Sequence, residues 1–545
     1  MRANQFLFVL ATSIATGLAA HAAESPRITR SVPTAAAPGQ TVEITFTGER
    51  LDSMTSLWTS FPSNGEKIKS SRNEAVFQLT VASNVPVQVG AIRLVGTNLL
   101  SDLFLLTVDD LPTVRKTGAK KEKPQALEAG TATEGTVEEL ATDYFTFSAK
   151  KGEQFSLDLL ARRLGSTLDP LLRILDKSGK ELVYSLQFNE PNGDPRIRFT
   201  APEAGTYSLE LRDVSYHGGG NYFYRLRCGK FPLITTPFPP ELERGARPAV
   251  KFVGPAVDGL PTPKQLVAWN AFEDFVPLSA RLKGVAGSGF SVLRLSDLGQ
   301  VQETEPNEKP AQATRISLPT GINGRFEKAR DRDYYQFTAE KGQRVTFDAK
   351  TRSLGSACDV SLRLVDSANA QLAESANTTA SEGSVSAKIE KPGNYFLIVE
   401  ELTGASGPDF VYHIDAKLRS APFSLAIEND KGEKSTNGAI AIHVSCARDH
   451  YDGPISLSVK GLDGCRLENS VIEKKKTNAT VRVFLPESIS AGEVALLSVQ
   501  GKATIGDSTY TTSASTMPAI RKAFPMLVYP PERFDGFVWM IPFEK

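Results

Sequence analysis

The chain contains part of itself twice. TDYFTFSAKKGEQFSLDLLARRLGSTLDP, from Thr142, aligns with RDYYQFTAEKGQRVTFDAKTRSLGSACDV, from Arg332. Asp143-Tyr144 falls on Asp333-Tyr334, Lys151-Gly152 on Lys341-Gly342, Leu164-Gly165-Ser166 on Leu354-Gly355-Ser356, Asp169 on Asp359 and Asp176 on Asp366, all at an offset of 190. AGTYSLEL from Ala204 then matches PGNYFLIV from Pro392, and Tyr224 matches Tyr412, at an offset of 188, so one loop of the second copy is two residues shorter. A weaker repeat precedes each copy: PGQTVEITFTG ending at Gly48 resembles RGARPAVKFVG ending at Gly254, and LLTVDDLPTV from Leu105 resembles VLRLSDLGQV from Val292. The order is A-B-A′-B′ followed by a fifth region from about residue 418. A chain divided this way folds as a series of units rather than around one core.

Within the units, apolar and polar residues alternate over short runs bounded by Gly, Pro, Asn and Asp: FSLDLLA, YSLELRD, RVTFDAK, YFLIVEE, VYHIDAK, and in the fifth region AIAIHVSC, ISLSVKG and ATVRVFL. A period of two reads as half-buried strands, and many short strands bury their apolar faces by packing sheet on sheet. The expectation is an all-β chain, a tandem array of β-sandwich domains arranged as a rod. The units span 24–113, 124–231, 232–300, 301–417 and 418–522, with a basic linker at 114–123 and an aromatic, Pro-rich segment at 523–545.

The opening MRANQFLFVLATSIATGLAAHAAESP has Arg2 ahead of an apolar stretch and small residues around Ala22, which predicts a secretory signal over residues 1–23 and a periplasmic, extracellular or surface location. No later run is apolar for the ~20 residues a membrane helix needs, so no membrane insertion is expected. Lys plus Arg and Asp plus Glu balance at 62 each, which removes the basic footprint of a nucleic-acid binder. Of the four cysteines, Cys446 and Cys465 share a unit and could pair after export or remain buried thiols; Cys228 and Cys358 fall in different repeats and are expected unpaired.

ETEPNEKPAQAT, DRDYYQFTAEKGQ, SLRLVDS and KPGNYFLIVEE, in that order, make the second B unit resemble the bacterial pre-peptidase C-terminal domain family. The first B unit keeps the centre and end but has KKEKPQALEAG where the EPN segment belongs; the A units resemble immunoglobulin-like TIG/IPT domains loosely. The resemblance implies jelly-roll-like sandwiches interleaved with immunoglobulin-like ones, commonly appended to secreted peptidases, with relatives among the calcium- and collagen-binding modules of bacterial collagenases. No peptidase domain accompanies them here.

Glu303, Glu305 and Asn307 are spaced by two, so an extended segment points them to one side, and Asp331 and Asp333 repeat that spacing at the next strand. If the EPN segment folds back beside that strand, four acids and an amide converge, the oxygen-rich donor set that calcium takes. The resemblance points to Glu303, Glu305, Asn307, Asp331 and Asp333 as ligands of a structural calcium, with Glu308 and the Tyr334 carbonyl as weaker candidates. The alternative is a solvated linker with aspartates at a turn, neutralised by Arg330 and Arg332.

No catalytic motif stands out: HExxH and GxSxG are absent, HGGG at His217 reads as a hairpin loop, His413 lies within a strand pattern, and His443, His450 and Cys446 have no metal spacing. The expected function is therefore a non-catalytic exported binding or scaffold protein of the cell envelope, its partner an unknown protein or an envelope or extracellular polymer. The alternatives are a peptidase accessory or unrecognised hydrolase, and a carbohydrate-binding protein, which would need Trp58, Trp269 or Trp539 facing solvent.

Overall fold

The alternation becomes strands. In Arg344–Lys350 every second residue, Val345, Phe347 and Ala349, is buried while its neighbours are not, as a half-buried strand requires. The computed structural model describes residues 25–97, 99–186, 193–246, 250–263, 273–375, 382–418, 421–434, 439–489 and 493–541. The expected signal and Trp269 lie outside them. The described chain is built almost wholly of strands in packed sheets, with one short helix, Met517–Ala523.

Both B units are sandwiches of two five-stranded sheets with the same connectivity. In the first, Asp143–Ala149 runs antiparallel to Gly205–Asp213; in the second, Arg332–Ala339 runs antiparallel to Gly393–Glu401. Each has its own apolar core, with Phe147, Phe199 and Tyr207 in one and Phe337, Phe347 and Tyr395 in the other. The first A unit pairs two four-stranded sheets around Phe46, Phe77 and Phe104. The third unit is smaller but repeats its wiring: Glu241–Glu243 lies parallel to Gly289–Ser296 as Ala35–Ala36 lies parallel to Phe104–Val108.

Three expectations need correction. Residues 114–123 are not a linker. Thr113–Arg115 is an edge strand of the first B unit, parallel to Thr131–Thr136, and Gln125–Ala126 adds a second edge.

Nor is the array a rod. Its last segment turns back: Val538–Met540 pairs with Ala495–Ile505 as an edge strand of the fifth unit. Phe524, Leu527, Phe534, Trp539 and Ile541 bury themselves against Ala91, Val95, Leu103 and Leu105 of the first unit. The physical reason is written in Gln88–Gly96, which is buried on both faces and so needs a second cover besides its own sandwich. Charge follows apolar contact: Arg93 is fully buried, pairs with Asp430 of the fifth unit and stacks 4.2 Å above the Trp539 ring. Asp109, at the first seam, receives Arg225 at 2.7 Å and Arg227 at 3.1 Å from the first B unit.

The Cys446–Cys465 pairing also fails, and both are free thiols. Cys446 donates its N–H to the Thr477 carbonyl, whereas Cys465 adjoins Arg466, which pairs with Phe484 at the far end of the same neighbouring strand. At about 3.3 Å per residue the two are on the order of 20 Å apart, against a Cα limit of ~7 Å for a disulfide.

Candidate metal centre

The EPN segment does fold back. Glu303 donates its N–H to the Asn323 carbonyl at 3.0 Å, and Tyr334 donates its N–H to the Asn307 carbonyl at 3.0 Å, which lays the segment along the strand that carries Asp333. Thr304 and Pro306 face solvent, Glu303 and Glu305 turn inward, and Asn307 is fully buried. The two-residue spacing thus points the candidates to one side, as the sequence suggests.

Glu305, Asp331 and Asp333 each bring a carboxylate oxygen within 4.8 Å of the others. Asp331 is already anchored, its Oδ2 accepting from the Glu327 N–H at 2.8 Å and its Oδ1 from the Arg332 N–H at 3.1 Å. Glu305 Oε1, Asn307 Oδ1 and Asp333 Oδ1 are buried and have no partner in good hydrogen-bond geometry, although Asn307 lies close enough to lower both Glu305 and Asp333 a little. Buried acceptors left this way are costly, and a hard cation with oxygen ligands would satisfy all three at once. The donor set fits calcium: it holds carboxylates and an amide, with neither thiolate nor imidazole.

Glu303 sits beside this cluster rather than in it. Its Oε1 accepts from the Arg325 N–H at 2.7 Å and its Oε2 from the Tyr412 hydroxyl at 3.2 Å. The one proton of that hydroxyl is shared with Asp333, the nearer carboxylate, so in the 2.6 Å contact with Tyr335 it is Tyr335 that donates. Sequence reasoning did not assign either tyrosine to the site, although the Tyr224–Tyr412 match between repeats marks the position. Gly324 makes it possible, since a Cβ there would lie 2.2 Å from the Tyr412 ring.

Electrostatics agree with the geometry. Burial, then the charge of Asp333, raises the Glu303 carboxyl above the usual range. Burial raises Asp333, with Asp331 and Glu305 pushing the same way. Burial and then Asp331 raise Glu305. The arginines expected to neutralise them are elsewhere: Arg332 pairs with Glu400, and Arg330 is exposed. Lys328 comes within 4.0 Å of Glu305 but is mostly solvated and also pairs with Glu308.

The first B unit solves the same problem differently. Lys116 donates its N–H to the Glu134 carbonyl as Glu303 does to that of Asn323, and Tyr144 donates to the Ala119 carbonyl as Tyr334 does to that of Asn307. The counterpart of ETEPN is therefore KTGA, residues 116–119, and not the later KEKPQA. Lys116 Nζ bonds Asp143 at 2.8 and 3.0 Å, and Tyr224 donates to Asp143 at 2.7 Å.

A second group brings Glu241, His413 and Asp415 together. Fully buried His413 contacts Asn323 at 3.0 Å, Asp415 at 3.2 Å and Glu241 at 3.3 Å, while Arg294 reaches Glu241 at 2.9 Å. The guanidinium already occupies the third unit's carboxylate, so this is a polar clasp between the third and fourth units. His443 and His450 are exposed while Cys446 is buried.

Residues 141–213 and 331–401 match the bacterial pre-peptidase C-terminal domain family, the segments that carry Asp143 and Asp333. Over 71 residues the chain is 41% identical to a probable subtilase-type serine protease of Deinococcus radiodurans, a match covering 13% of this chain and 9% of that protein. Among solved structures, the pre-peptidase C-terminal domain of a Bacillus anthracis collagenase is 14% identical, covering 21% of this chain and 99% of that one, with a TM-score of 0.17. A Bacteroides ovatus protein of a mixed-linkage glucan utilization locus is 11% identical over 73% of this chain and 74% of its own, with a TM-score of 0.16.

Proposed function

We propose that this chain is an exported, non-catalytic binding or scaffold protein of the cell envelope, whose second pre-peptidase C-terminal unit is set by a structural calcium. Glu305, Asn307, Asp331 and Asp333 would hold the ion, which would supply charge neutralisation and cross-linking of the EPN segment to its strand. Glu303 and Tyr412 would orient Asp333 from behind. The observation that carries the calcium reading is the set of three buried oxygens, without a partner in good hydrogen-bond geometry, on converging side chains. The scaffold reading is supported by where the buried charge goes: Arg93, Arg225, Arg227 and Arg533 join units to one another. Reading the first and third units as TIG-type modules belongs to the same proposal and is supported by their common wiring.

The test is a pull-down from envelope fractions with the mature chain, once with calcium and once with chelator, beside turnover assays on peptide, ester and glycan panels. Captured partners without turnover are expected; turnover on any panel would overturn the non-catalytic reading, and no partner at all would overturn the binding one. The 41% identity to part of a probable subtilase-type protease favours a second reading, an accessory of a secreted peptidase system, for which the captured partner would be a peptidase. An aromatic platform for carbohydrate gains no support from Trp539, which is fully buried, or from Trp58, which packs edge-on against it at 5.6 Å.

A further inference from the structure

The LGS motif shared by the two B units plays no part in the metal centre, yet both copies arrive at one place. Each closes a short 3-10 turn, Arg162–Leu164 in the first unit and Arg352–Leu354 in the second, with Gly165 and Gly355 in the left-handed region at φ 80° and 87°. At the offset of 190, Arg163 corresponds to Ser353. Both line one cavity of about 170 Å³ where the first four units meet the returning C-terminal segment. A cavity of roughly 150 Å³ holds a ring the size of benzene.

Its walls are apolar on several sides, with Phe290, Leu354, Leu527 and Phe534 among them. Among its polar groups, Arg163 Nη1, Ser353 Oγ and Arg533 Nε are buried and make no hydrogen bond, while the one carboxylate in the lining, Glu532, is already paired with Lys350. The three donors come from separate parts of the chain. Arg163 is otherwise held by Asp158 and Asp194, and Arg533 by Glu273 at 3.3 Å and Gln88 at 3.0 Å, so each side chain is fixed while one donor remains free. Two guanidiniums and a hydroxyl beside an apolar wall complement an acceptor that is negatively charged and carries an apolar body.

The geometry points to a binding site for a small apolar carboxylate, an aromatic or short aliphatic acid, at the junction of the units. The site exists only because the array folds back, so its occupant bridges both B units and the C-terminal segment.

Fluorine NMR on the full mature chain with para-fluorophenylacetate tests this, with para-fluorophenylacetamide as the uncharged control. Saturable binding of the acid at sub-millimolar concentration is expected, at least tenfold weaker for the amide. Ser353→Phe fills the cavity and should abolish binding. Ser353→Ala, which touches no existing side-chain hydrogen bond, should weaken it severalfold with an unchanged melting temperature, and it keeps the test decisive if the larger variant does not fold. Absence of binding at millimolar acid, equal affinity for acid and amide, or unaltered binding in the Ser353 variants would each overturn the site and leave the donors to water.

Discussion

Lys116 in the first B unit stands where Glu303 stands in the second, one residue beyond an equivalent edge strand and bonded to an equivalent carbonyl. An ammonium faces Asp143 in one copy, and a cluster of acids faces Asp333 in the other. The same sandwich thus buries an aspartate beside an internal cation in one copy and, on the proposed calcium reading, beside a site for an external one in the other.

Calcium should therefore stabilise the chain through the second unit alone. An ion at 100 times its dissociation constant adds about 2.7 kcal/mol, so melting should rise with calcium and fall on chelation. Asp333→Asn should remove most of the response, whereas Asp143→Asn should leave it intact. Identical calorimetric traces with calcium and with chelator would sink the calcium assignment.

Glu303→Lys should copy the first unit's solution into the second. The introduced ammonium faces Asp333 as Lys116 faces Asp143, so this variant should melt at the same temperature with and without calcium, and no lower than the metal-free parent. The converse change, Lys116→Met, leaves Asp143 buried without its partner, and breaking a buried pair costs roughly 3–5 kcal/mol. Denaturant titration reads both.

Stability against pH should separate the two kinds of buried acid. Glu303 and Asp333 have folded-state pKa values above their unfolded ones. In the metal-free chain their contribution is complete below the ordinary carboxylate range near pH 4 and is lost as pH rises through the raised values. Asp158 behaves oppositely. Burial would raise it, but Arg163, Arg196 and Arg227 outweigh burial and hold it at about 2, so its contribution is present above pH 4 and lost as pH falls toward 2. Calcium should flatten the alkaline limb only. Melting curves from pH 3 to pH 9, with and without calcium, check this; an unchanged alkaline limb would contradict it.

How much of this was legible in the sequence differs from level to level. Strands and duplicated modules were readable because alternation and repetition are local properties of a string. The convergence of Glu305, Asn307, Asp331 and Asp333 was readable because a period of two fixes which side an extended residue faces. Lys116 was missed because the loop after it differs in length between the copies, which shifted the alignment onto KEKPQA; backbone pairing, not residue identity, sets that register. The closure of the array was hidden for another reason. A strand such as Gln88–Gly96 announces that both faces are covered, but not that a segment more than 400 residues later supplies the cover.

That closure rests on Trp539, fully buried between Arg93 and Trp58. Trp539→Ala removes the largest buried side chain of the seam, and truncations of this size cost about 3–5 kcal/mol. It also strips the ring from Arg93, leaving a buried guanidinium with Asp430 and the Ser101 carbonyl. Because Val538–Met540 still has backbone pairing with the fifth unit, the individual sandwiches should stay folded while the first unit separates from the fifth. Small-angle scattering should then show a larger radius of gyration with an unchanged far-ultraviolet dichroism spectrum, and limited proteolysis should cut the 524–537 stretch first. An unaltered scattering profile would mean that the remaining contacts of the first unit, Gln88 with Arg533 and Asp102 with Lys431, are sufficient to hold the array closed.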